Sequence, residues 1–227
     1  MWEPQLYFNI TQVTKLVSLP LVKLLRRRVF QQIALLQDIV VLALAEERTV
    51  LHGGLAVWRV YGGKRFSYDV DLYHEDPEAI AARLAEVEEV EVRKARLTEA
   101  GVLYARVVRE KAVVEVEVAP LRRVKSVDGR YWMVDGTAVT VLTLTPEDLL
   151  REKIDAYLSR RQARDLYDIY YLLGVARVEG LRKRLQKLLQ ALDQPPPDMR
   201  VLKELVLVGL PPRFETIRRE VRRCATS

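Results

Sequence analysis

The chain has 227 residues, of which 49% are hydrophobic and 30% are charged, so it is expected to fold and not to be disordered. No apolar run approaches the roughly 18 residues of a membrane span, and we expect no membrane association. The first twelve residues lack the basic-then-apolar order of a secretory signal, and the single cysteine, Cys224, cannot form an internal disulfide. These features predict a cytoplasmic protein.

The formal charge of +6 is unevenly distributed along the chain. Residues 151–227 hold 17 Lys and Arg against 10 Asp and Glu, whereas residues 1–150 hold 20 against 21. A basic C-terminal part suits a polyanionic substrate that one part of the protein clamps and the other processes. A set of solvated, arginine-rich helices explains the same excess equally well.

The spacing of apolar residues predicts a helical N-terminal region followed by a mixed α/β region. Apolar residues recur at steps of three and four from Val13 to Glu47, with a helix boundary near Pro20. Strand, helix, strand and helix patterns then alternate at 49–52, 55–61, 68–73 and 77–87. Segments with β-branched alternation predict antiparallel strands at 90–97, 102–109 and 112–119.

The last of these strands carries two acids. Its alternation places Val113, Glu115 and Glu117 on one face and three valines on the other. Two carboxylates on an otherwise apolar strand would be costly to bury without a cation, although exposure of that face to solvent explains them as well.

The rest of the chain changes from β to helical character. Residues 122–143 are predicted to be a looser β region, with turns at Asp128-Gly129 and Asp135-Gly136. Thr145-Pro146 is a strong helix start. Only helices are predicted beyond it, at 146–159, 162–174, 178–192, 198–208 and 212–224.

The predicted fold class is therefore α+β, with a mixed β-sheet core, flanking helices and a helical C-terminal domain. We expect N-terminal helices at 1–47 that pack on the core, the core itself at 48–144, and the helical domain at 145–227.

The stretch from 50 to 73 carries the clearest chemical signal. Gly53-Gly54, ahead of a helix, offers backbone N–H groups to an anion, while Asp69 and Asp71 alternate onto one face of a strand. Together they predict a site for a metal–triphosphate complex. The flanking His52 is interpreted as structural, as is His74, because hard Mg²⁺ prefers oxygen ligands.

A second cluster lies on a predicted C-terminal helix. Asp165 and Asp168 are three residues apart and share a helix face, and Arg164 is spaced to pair with Asp168. By spacing alone, a helix pair tied by Arg–Asp bridges explains this cluster better than a functional site does.

In order, the motifs read GG-x-A-x-x-x-x-Y-G-G-K-R-F-S-Y-D-V-D-L, then L-x-x-K-I-x-A-x-x-x-R, then R-D-L-Y-D. This series resembles the AbiEii/AbiGii-toxin-type nucleotidyltransferases of the DNA polymerase β-like superfamily, over roughly residues 48–175. The resemblance implies a nucleotidyltransferase-type sheet core.

The resemblance also implies roles for individual positions. Its catalytic positions fall on Asp69, Asp71, Glu117, Lys153 and Asp165. Its nucleotide-contacting positions fall on Gly53, Gly54, Arg65, Ser67, Lys153 and Asp168. Its metal ligands are Asp69, Asp71 and Glu117, with Glu115 as the second choice for the third carboxylate.

The implied activity is Mg²⁺-dependent, or Mn²⁺-dependent, transfer of a nucleoside monophosphate from a nucleoside triphosphate, an EC 2.7.7 reaction. The implied acceptor is the 3′ end of tRNA, and the implied setting is a toxin–antitoxin or phage-defence pair with a cognate antitoxin. Leu55 departs from the family pattern, which has Ser or Thr directly after the glycine turn. It keeps open a catalytically degenerate nucleotide- or RNA-binding relative, and the acceptor could also be a protein or small-molecule hydroxyl.

Overall fold

The structure, a computed structural model, describes residues 21–121 and 125–226. The described strands are β1 Val50–His52, β2 Val70–His74, β3 Glu91–Leu97, β4 Leu103–Arg109, β5 Ala112–Pro120, β6 Ser126–Trp132 and β7 Ala138–Leu144. The described α-helices are α1 Arg28–Ala43, α2 Gly53–Arg59, α3 Pro77–Ala85, α4 Pro146–Arg160, α5 Ala163–Leu172, α6 Arg182–Ala191, α7 Leu202–Leu205 and α8 Phe214–Thr226. The predicted boundary at Pro20 lies outside the described residues.

The strands form one mixed sheet in the order β3-β4-β5-β2-β1-β7-β6. At its centre, β2 pairs antiparallel with β1 and parallel with β5, and β1 pairs parallel with β7. Antiparallel pairs, β3 with β4 and β6 with β7, complete the two sides. The α+β fold class predicted from the sequence is confirmed.

The alternation predicted for β5 decides which face of the sheet is buried. Val114, Val116 and Val118 are buried, while Val113 is 41% exposed. Helix α1 contacts β5, and α3 contacts β2, β3, β4 and β5, so these helices cover the valine face. The acids of β5 therefore lie on the opposite face, as the period of two requires.

A buried polar network joins α1, α2 and β6. The guanidinium of Arg59 donates to the carboxylate of Asp38 and, at 2.6 Å, to the carbonyl of Trp132. Asp38 also accepts from the hydroxyl of Tyr131 at 3.0 Å and from the amide of Val134 at 2.8 Å. Since a buried charge needs partners, this network fixes how α1 and α2 sit against the sheet.

The C-terminal helices share the hydrophobic core of the sheet. Helix α4 packs against α5 and α6, and α6 packs against α8, whose Ile217 and Val221 are fully buried. One continuous cluster of buried side chains includes both these helices and the strands. None of the described helices combines the length and the apolar character needed to cross a membrane.

The helix predicted at 198–208 ends earlier than expected and begins as a 3₁₀ turn. A 3₁₀ turn at Met199–Val201 leads into α7, which ends at Leu205. The chain then extends and pairs with the loop before β2, where Phe66 N donates to Leu205 O and Leu207 N to Lys64 O, both at 2.8 Å. Backbone pairing with a distant loop has overridden the local helical pattern.

The turn predicted at Asp128-Gly129 is also wrong. Both residues lie inside β6, and Gly129 pairs with Val141 of β7. A Cβ atom at Gly129 would lie 2.7 Å from methyl carbons of Thr143 and Val60. The glycine is there for close packing and not for a turn.

Gly129→Ala should therefore destabilise the protein by about 1–3 kcal/mol through overpacking. Adding Val60→Ala should restore part of this loss, because it removes one of the two clashing methyl groups. Gly180→Ala is the matched control, since no atom lies within 4 Å of the added Cβ. Urea unfolding would measure all three, and an unchanged midpoint for Gly129→Ala would contradict the packing explanation.

Candidate active site

The carboxylates expected from the sequence lie on one face of the sheet. Asp71 in β2 is directly paired with Glu117 in β5, so their Cα atoms are about 5 Å apart. Asp69 directly precedes β2 and is close enough to Asp71 for the charge of Asp71 to act on it. Glu115 is half exposed and pairs with Arg106 at 2.6 Å. This placement favours Glu117 as the third carboxylate, and the choice stays a prediction.

The three carboxylates interact electrostatically. Burial and the negative charge of Asp71 raise the pKa of Asp69 above its usual value, although Arg164 acts to lower it. Burial and Asp71 likewise raise the pKa of Glu117, against the opposing effect of His52. The cluster therefore has an excess of negative charge that a cation would relieve.

The glycine turn brings backbone against these side chains. Gly53 has a φ of 66°, and a Cβ there would lie 1.8 Å from Oδ2 of Asp71. At Gly54 a Cβ would lie 2.5 Å from Oγ of Ser67 and 2.6 Å from Nη2 of Arg65. Only glycine at both positions allows the predicted site residues to pack against the start of α2.

The structure also shows the position of Leu55, the residue after the turn that departs from the family pattern. Leu55 is fully buried in the hydrophobic core, so its side chain does not line the exposed side of the turn. The hydroxyl of Ser67, which is itself 5% exposed, lies against Gly54 instead. Gln37 of α1 holds this segment by donating to the carbonyls of Ser67 and Tyr68 at 2.8 and 2.9 Å.

The acids of α5 lie in a buried network of cations. Arg65 donates to both oxygens of Asp168, at 2.6 and 2.5 Å, and Lys153 Nζ lies 3.0 Å from the same carboxylate. Asp165 accepts from Nε and Nη2 of Arg160 at 2.6 and 2.7 Å and lies 3.6 Å from Lys153. Both acids are fully buried, so in this arrangement they hold cations and do not face the solvent.

The charges in this network are well defined. Burial alone would raise the pKa of Asp165, but the hydrogen bonds from Arg160 and the charge of Lys153 outweigh it and lower that pKa. Burial alone would lower the pKa of Arg65, but Asp168 more than offsets this effect and raises it. Asp165 and Arg65 are thus each held in their charged form by the oppositely charged groups around them.

The predicted pairing of Arg164 with Asp168 is wrong. Asp168 is already occupied by Arg65, whose planar fork binds both of its oxygens, and by Lys153. Arg164 instead lies 3.6 Å from Asp69 and donates to the side chain of Gln162 at 2.9 Å.

Two exposed cations beside the carboxylates were not predicted from the sequence. The side chains of Arg160 and Arg164 are 43% and 36% exposed, at the junction of α4 and α5. The charges of Asp165 and Asp71 raise the pKa of Arg160. Only the fold places them here, although the last R of the second motif and the first R of the third could have indicated them.

A stacked pair of rings was also not predicted. His52 stacks on Tyr73 with ring centroids 3.9 Å apart. Glu152 lies 3.1 Å from Nδ1 of His52 and accepts from the hydroxyl of Tyr73 at 2.8 Å. Glu152 directly precedes Lys153. Helix α4 therefore contacts β1 and β2 through Glu152 and also supplies the cation Lys153.

The oxygen donors of the carboxylate cluster are the type that Mg²⁺ and Mn²⁺ prefer, so the residues fit such a cation. Within the described parts of the chain, no three His, Cys, Asp or Glu side chains are already gathered as a complete metal centre. Asp69 is engaged by Arg164, so a bound cation would compete with that contact.

A family model described as "Nucleotidyl transferase AbiEii toxin, Type IV TA system" matches residues 34–221. The chain belongs to this family. The resemblance seen in the motifs is thereby confirmed, and the AbiEii match extends well into the C-terminal helices. Among curated proteins no relative matches the chain.

Solved structures share the fold of this AbiEii family member. JHP933 from Helicobacter pylori matches with a TM-score of 0.64 and 19% sequence identity, covering 88% of this chain and 91% of that one. A candidate nucleotidyltransferase from H. pylori matches with a TM-score of 0.60 and 20% identity, covering 84% and 90%. At these identities the similarity establishes the fold alone.

Neutral replacement of a site carboxylate should stabilise the metal-free protein. The raised pKa of Glu117 means that folding favours its protonated form, so stability falls as pH rises from 4.5 through the raised value. At neutral pH, Glu117→Gln should thus raise Tm by about 2 °C. Thermal scans without metal would test this, with the exposed Glu115→Gln as control; a lower Tm for Glu117→Gln would contradict the electrostatic argument.

Removing the charge of Asp168 should destabilise the protein, in contrast to the stabilisation expected for Glu117→Gln. Asp168→Asn leaves Arg65 and Lys153 with too little buried negative charge, at a cost of about 3–5 kcal/mol. Asp193→Asn is the matched control, because Asp193 is 71% exposed and lies 3.9 Å from Arg161. Its loss should be below about 1 kcal/mol. Chemical denaturation would compare them, and equal losses would argue against a buried ion-pair network.

Proposed function

We propose that this protein transfers a nucleoside monophosphate from a nucleoside triphosphate to a hydroxyl of an RNA acceptor, an EC 2.7.7 reaction that depends on Mg²⁺ or Mn²⁺. The AbiEii family establishes a nucleotidyltransferase toxin in general terms. The observation that carries the finer proposal is the pairing of Asp71 with Glu117, with Asp69 electrostatically coupled to Asp71 and Gly53 packed against Asp71.

The carboxylates would hold the divalent cation. Asp69, Asp71 and Glu117 supply hard oxygen donors on adjacent strands, and their mutual repulsion gives them a reason to bind one. When bound, the cation supplies activation of the acceptor hydroxyl and neutralises charge on the departing pyrophosphate. The rigid sheet fixes the spacing between Asp71 and Glu117 before any ligand arrives.

The cations of α4 and α5 would bind the triphosphate. The guanidinium groups of Arg160 and Arg164 are partly exposed and suit bidentate contact with phosphate oxygens. The side chain of Lys153 is 8% exposed, and its positive charge adds to that of the two guanidinium groups. We therefore assign Asp165, which is fully buried, the role of positioning Arg160 and Lys153 instead of direct contact with substrate.

Arg65, Ser67 and Asp168 support nucleotide binding indirectly. Arg65 is 4% exposed, and its guanidinium donates twice to Asp168 and once to the carbonyl of Phe66. We propose that this pair and Ser67 shape the glycine turn, whose backbone N–H groups would contact phosphate.

We further propose tRNA as the acceptor and a cognate antitoxin as the genetic partner. The type IV toxin–antitoxin family supports the antitoxin, and the net charge of +6 supports a polyanionic acceptor. The motif resemblance to the AbiEii/AbiGii-toxin-type enzymes is the ground for choosing the 3′ end of tRNA.

The decisive experiment is label transfer from each of the four α-labelled nucleoside triphosphates to tRNA, with Mg²⁺ or Mn²⁺. Wild-type protein should label RNA and release pyrophosphate. Glu117→Gln should lower the rate by roughly 100-fold or more, because it removes a ligand of the cation. Glu115→Gln, two residues away on the same strand, should keep nearly full activity.

Two readouts separate the alternatives. Manganese binding measured by electron paramagnetic resonance should be weakened by Glu117→Gln and not by Glu115→Gln. Nucleotide binding without pyrophosphate release would favour a degenerate relative, and label on protein or on small molecules but never on RNA would overturn the RNA acceptor. Similar rates for the two glutamate variants would refute the assignment of Glu117.

A further inference from the structure

A row of side chains crosses five strands at the level of the carboxylates. His52 pairs with Asp71, Asp71 with Glu117, and Glu117 with Tyr104 of β4. Tyr104 in turn pairs with Arg96 of β3. Directly opposed residues point to the same face of a sheet, so the row continues without a break from the carboxylates onto Tyr104 and Arg96.

A second row lies beside the first, two residues away along β5 and β4. Glu115 of β5 pairs with Arg106 of β4, and Arg106 pairs with Lys94 of β3. Together, Lys94, Arg96, Tyr104 and Arg106 form a patch of one aromatic ring and three cations, which we call the open face.

The open face is accessible to a partner. Tyr104 is 42% exposed, the side chain of Arg106 is 52% exposed, and Lys94 and Arg96 are exposed. Helix α3 packs on the other side of these strands, where Leu103, Ala105 and Val107 are buried.

One contact of the open face is unfavourable for the sheet. Lys94 lies directly opposite Arg106, and like charges in that position destabilise a sheet. Glu115 offsets only Arg106, through a 2.6 Å ion pair. The guanidinium of Arg96 lies 5.9 Å from the centre of the exposed Tyr104 ring. Cations next to an exposed aromatic ring are the combination that binds the phosphates and bases of a single-stranded nucleic acid.

The position of the open face relative to the cations of α4 and α5 indicates which ligand it takes. Helix α4 contacts α2 and β7, on the β1 side of the carboxylates, whereas β4 and β3 continue on the β5 side. Tyr104 is two strand spacings from Asp71, about 10 Å. Arg164 lies 3.6 Å from Asp69, and the open face continues from Glu117 onto β4 and β3. A triphosphate held by Arg160 and Arg164 and an acceptor held on the open face would thus both reach the carboxylates.

We propose that the open face binds the single-stranded 3′ end of the acceptor RNA, with a base stacked on Tyr104 and phosphates at Lys94 and Arg96. This inference rests on the proposed function and places the acceptor on the sheet, away from the basic C-terminal helices. The terminal hydroxyl of such a strand reaches Asp71 and Glu117 along the row that contains Tyr104.

The test is RNA binding, measured separately from activity. The probes are a fluorescein-labelled ten-nucleotide single-stranded RNA and unfractionated tRNA, titrated with full-length protein in Mg²⁺ without nucleotide. Tyr104→Ala should weaken binding at least about fivefold, and Tyr104→Phe, which keeps the ring, should not. A Lys94→Gln/Arg96→Gln variant should lower the salt dependence of log Kd by about 0.7 for each RNA phosphate that the variant no longer neutralises.

Matched controls locate the effect. Lys183→Gln/Lys187→Gln removes two exposed charges from α6 and should leave affinity for both probes within about twofold, since the proposed RNA site does not include α6. Affinity for Mg²⁺–nucleoside triphosphate, measured by calorimetry, should be the same in Tyr104→Ala and wild type. Loss of RNA affinity only in the α6 variant, or loss of nucleotide affinity in Tyr104→Ala, would overturn the proposal.

The outcomes also separate this inference from the proposed function. RNA binding that depends on Tyr104 without label transfer would keep the open face as an RNA site and reject the transfer reaction. Label transfer to tRNA that is unchanged by substitution of Tyr104, Lys94 and Arg96 would keep the transfer reaction and reject the open face as the RNA site. No RNA affinity in the wild type would overturn the open face as an RNA site, and labelling of protein alone would then identify a protein acceptor.

Discussion

The buried ion pair between Arg65 and Asp168 is the contact on which the site depends. Arg65 precedes β2 by five residues and Asp168 lies in α5, so the pair joins the sheet to the C-terminal helices. Because both groups are buried, each offsets the cost of burying the charge of the other. The same guanidinium lies against Gly54, and the pairing of residues 64–66 with 205–207 reinforces the connection. The carboxylates of the sheet and the cations of α4 and α5 are thereby held in one rigid arrangement.

The site separates its charges according to their partners. Asp165 and Asp168, deep in the helical part, are matched by Arg65, Lys153 and Arg160. Asp69, Asp71 and Glu117, on the sheet, exceed the positive charge around them, and two of them have raised pKa values. Carboxylates thus hold protein cations in one place and leave an excess of negative charge in the other. Burial and the number of nearby guanidinium groups make the difference.

Local patterns predict well wherever local physics decides the structure. The alternation of β5 and the capped start of α4 at Thr145-Pro146 both follow from side-chain period and capping. The errors occur where distant contacts decide. Gly129, predicted to form a turn, accommodates methyl groups of Thr143 and Val60, and the helix predicted at 198–208 gives way to pairing with the loop before β2.

The sequence by itself determined the family, the α+β class and the identities of the charged groups, because motif order and periodicity are properties of the chain. Only the tertiary structure decided which charges meet. Strand register placed Glu117 beside Asp71 and continued the row to Tyr104. Helix packing placed Arg164 beside Asp69 and Asp168 beside Arg65. Such pairings depend on residues far apart in the chain, and short-range spacing contains no information about them.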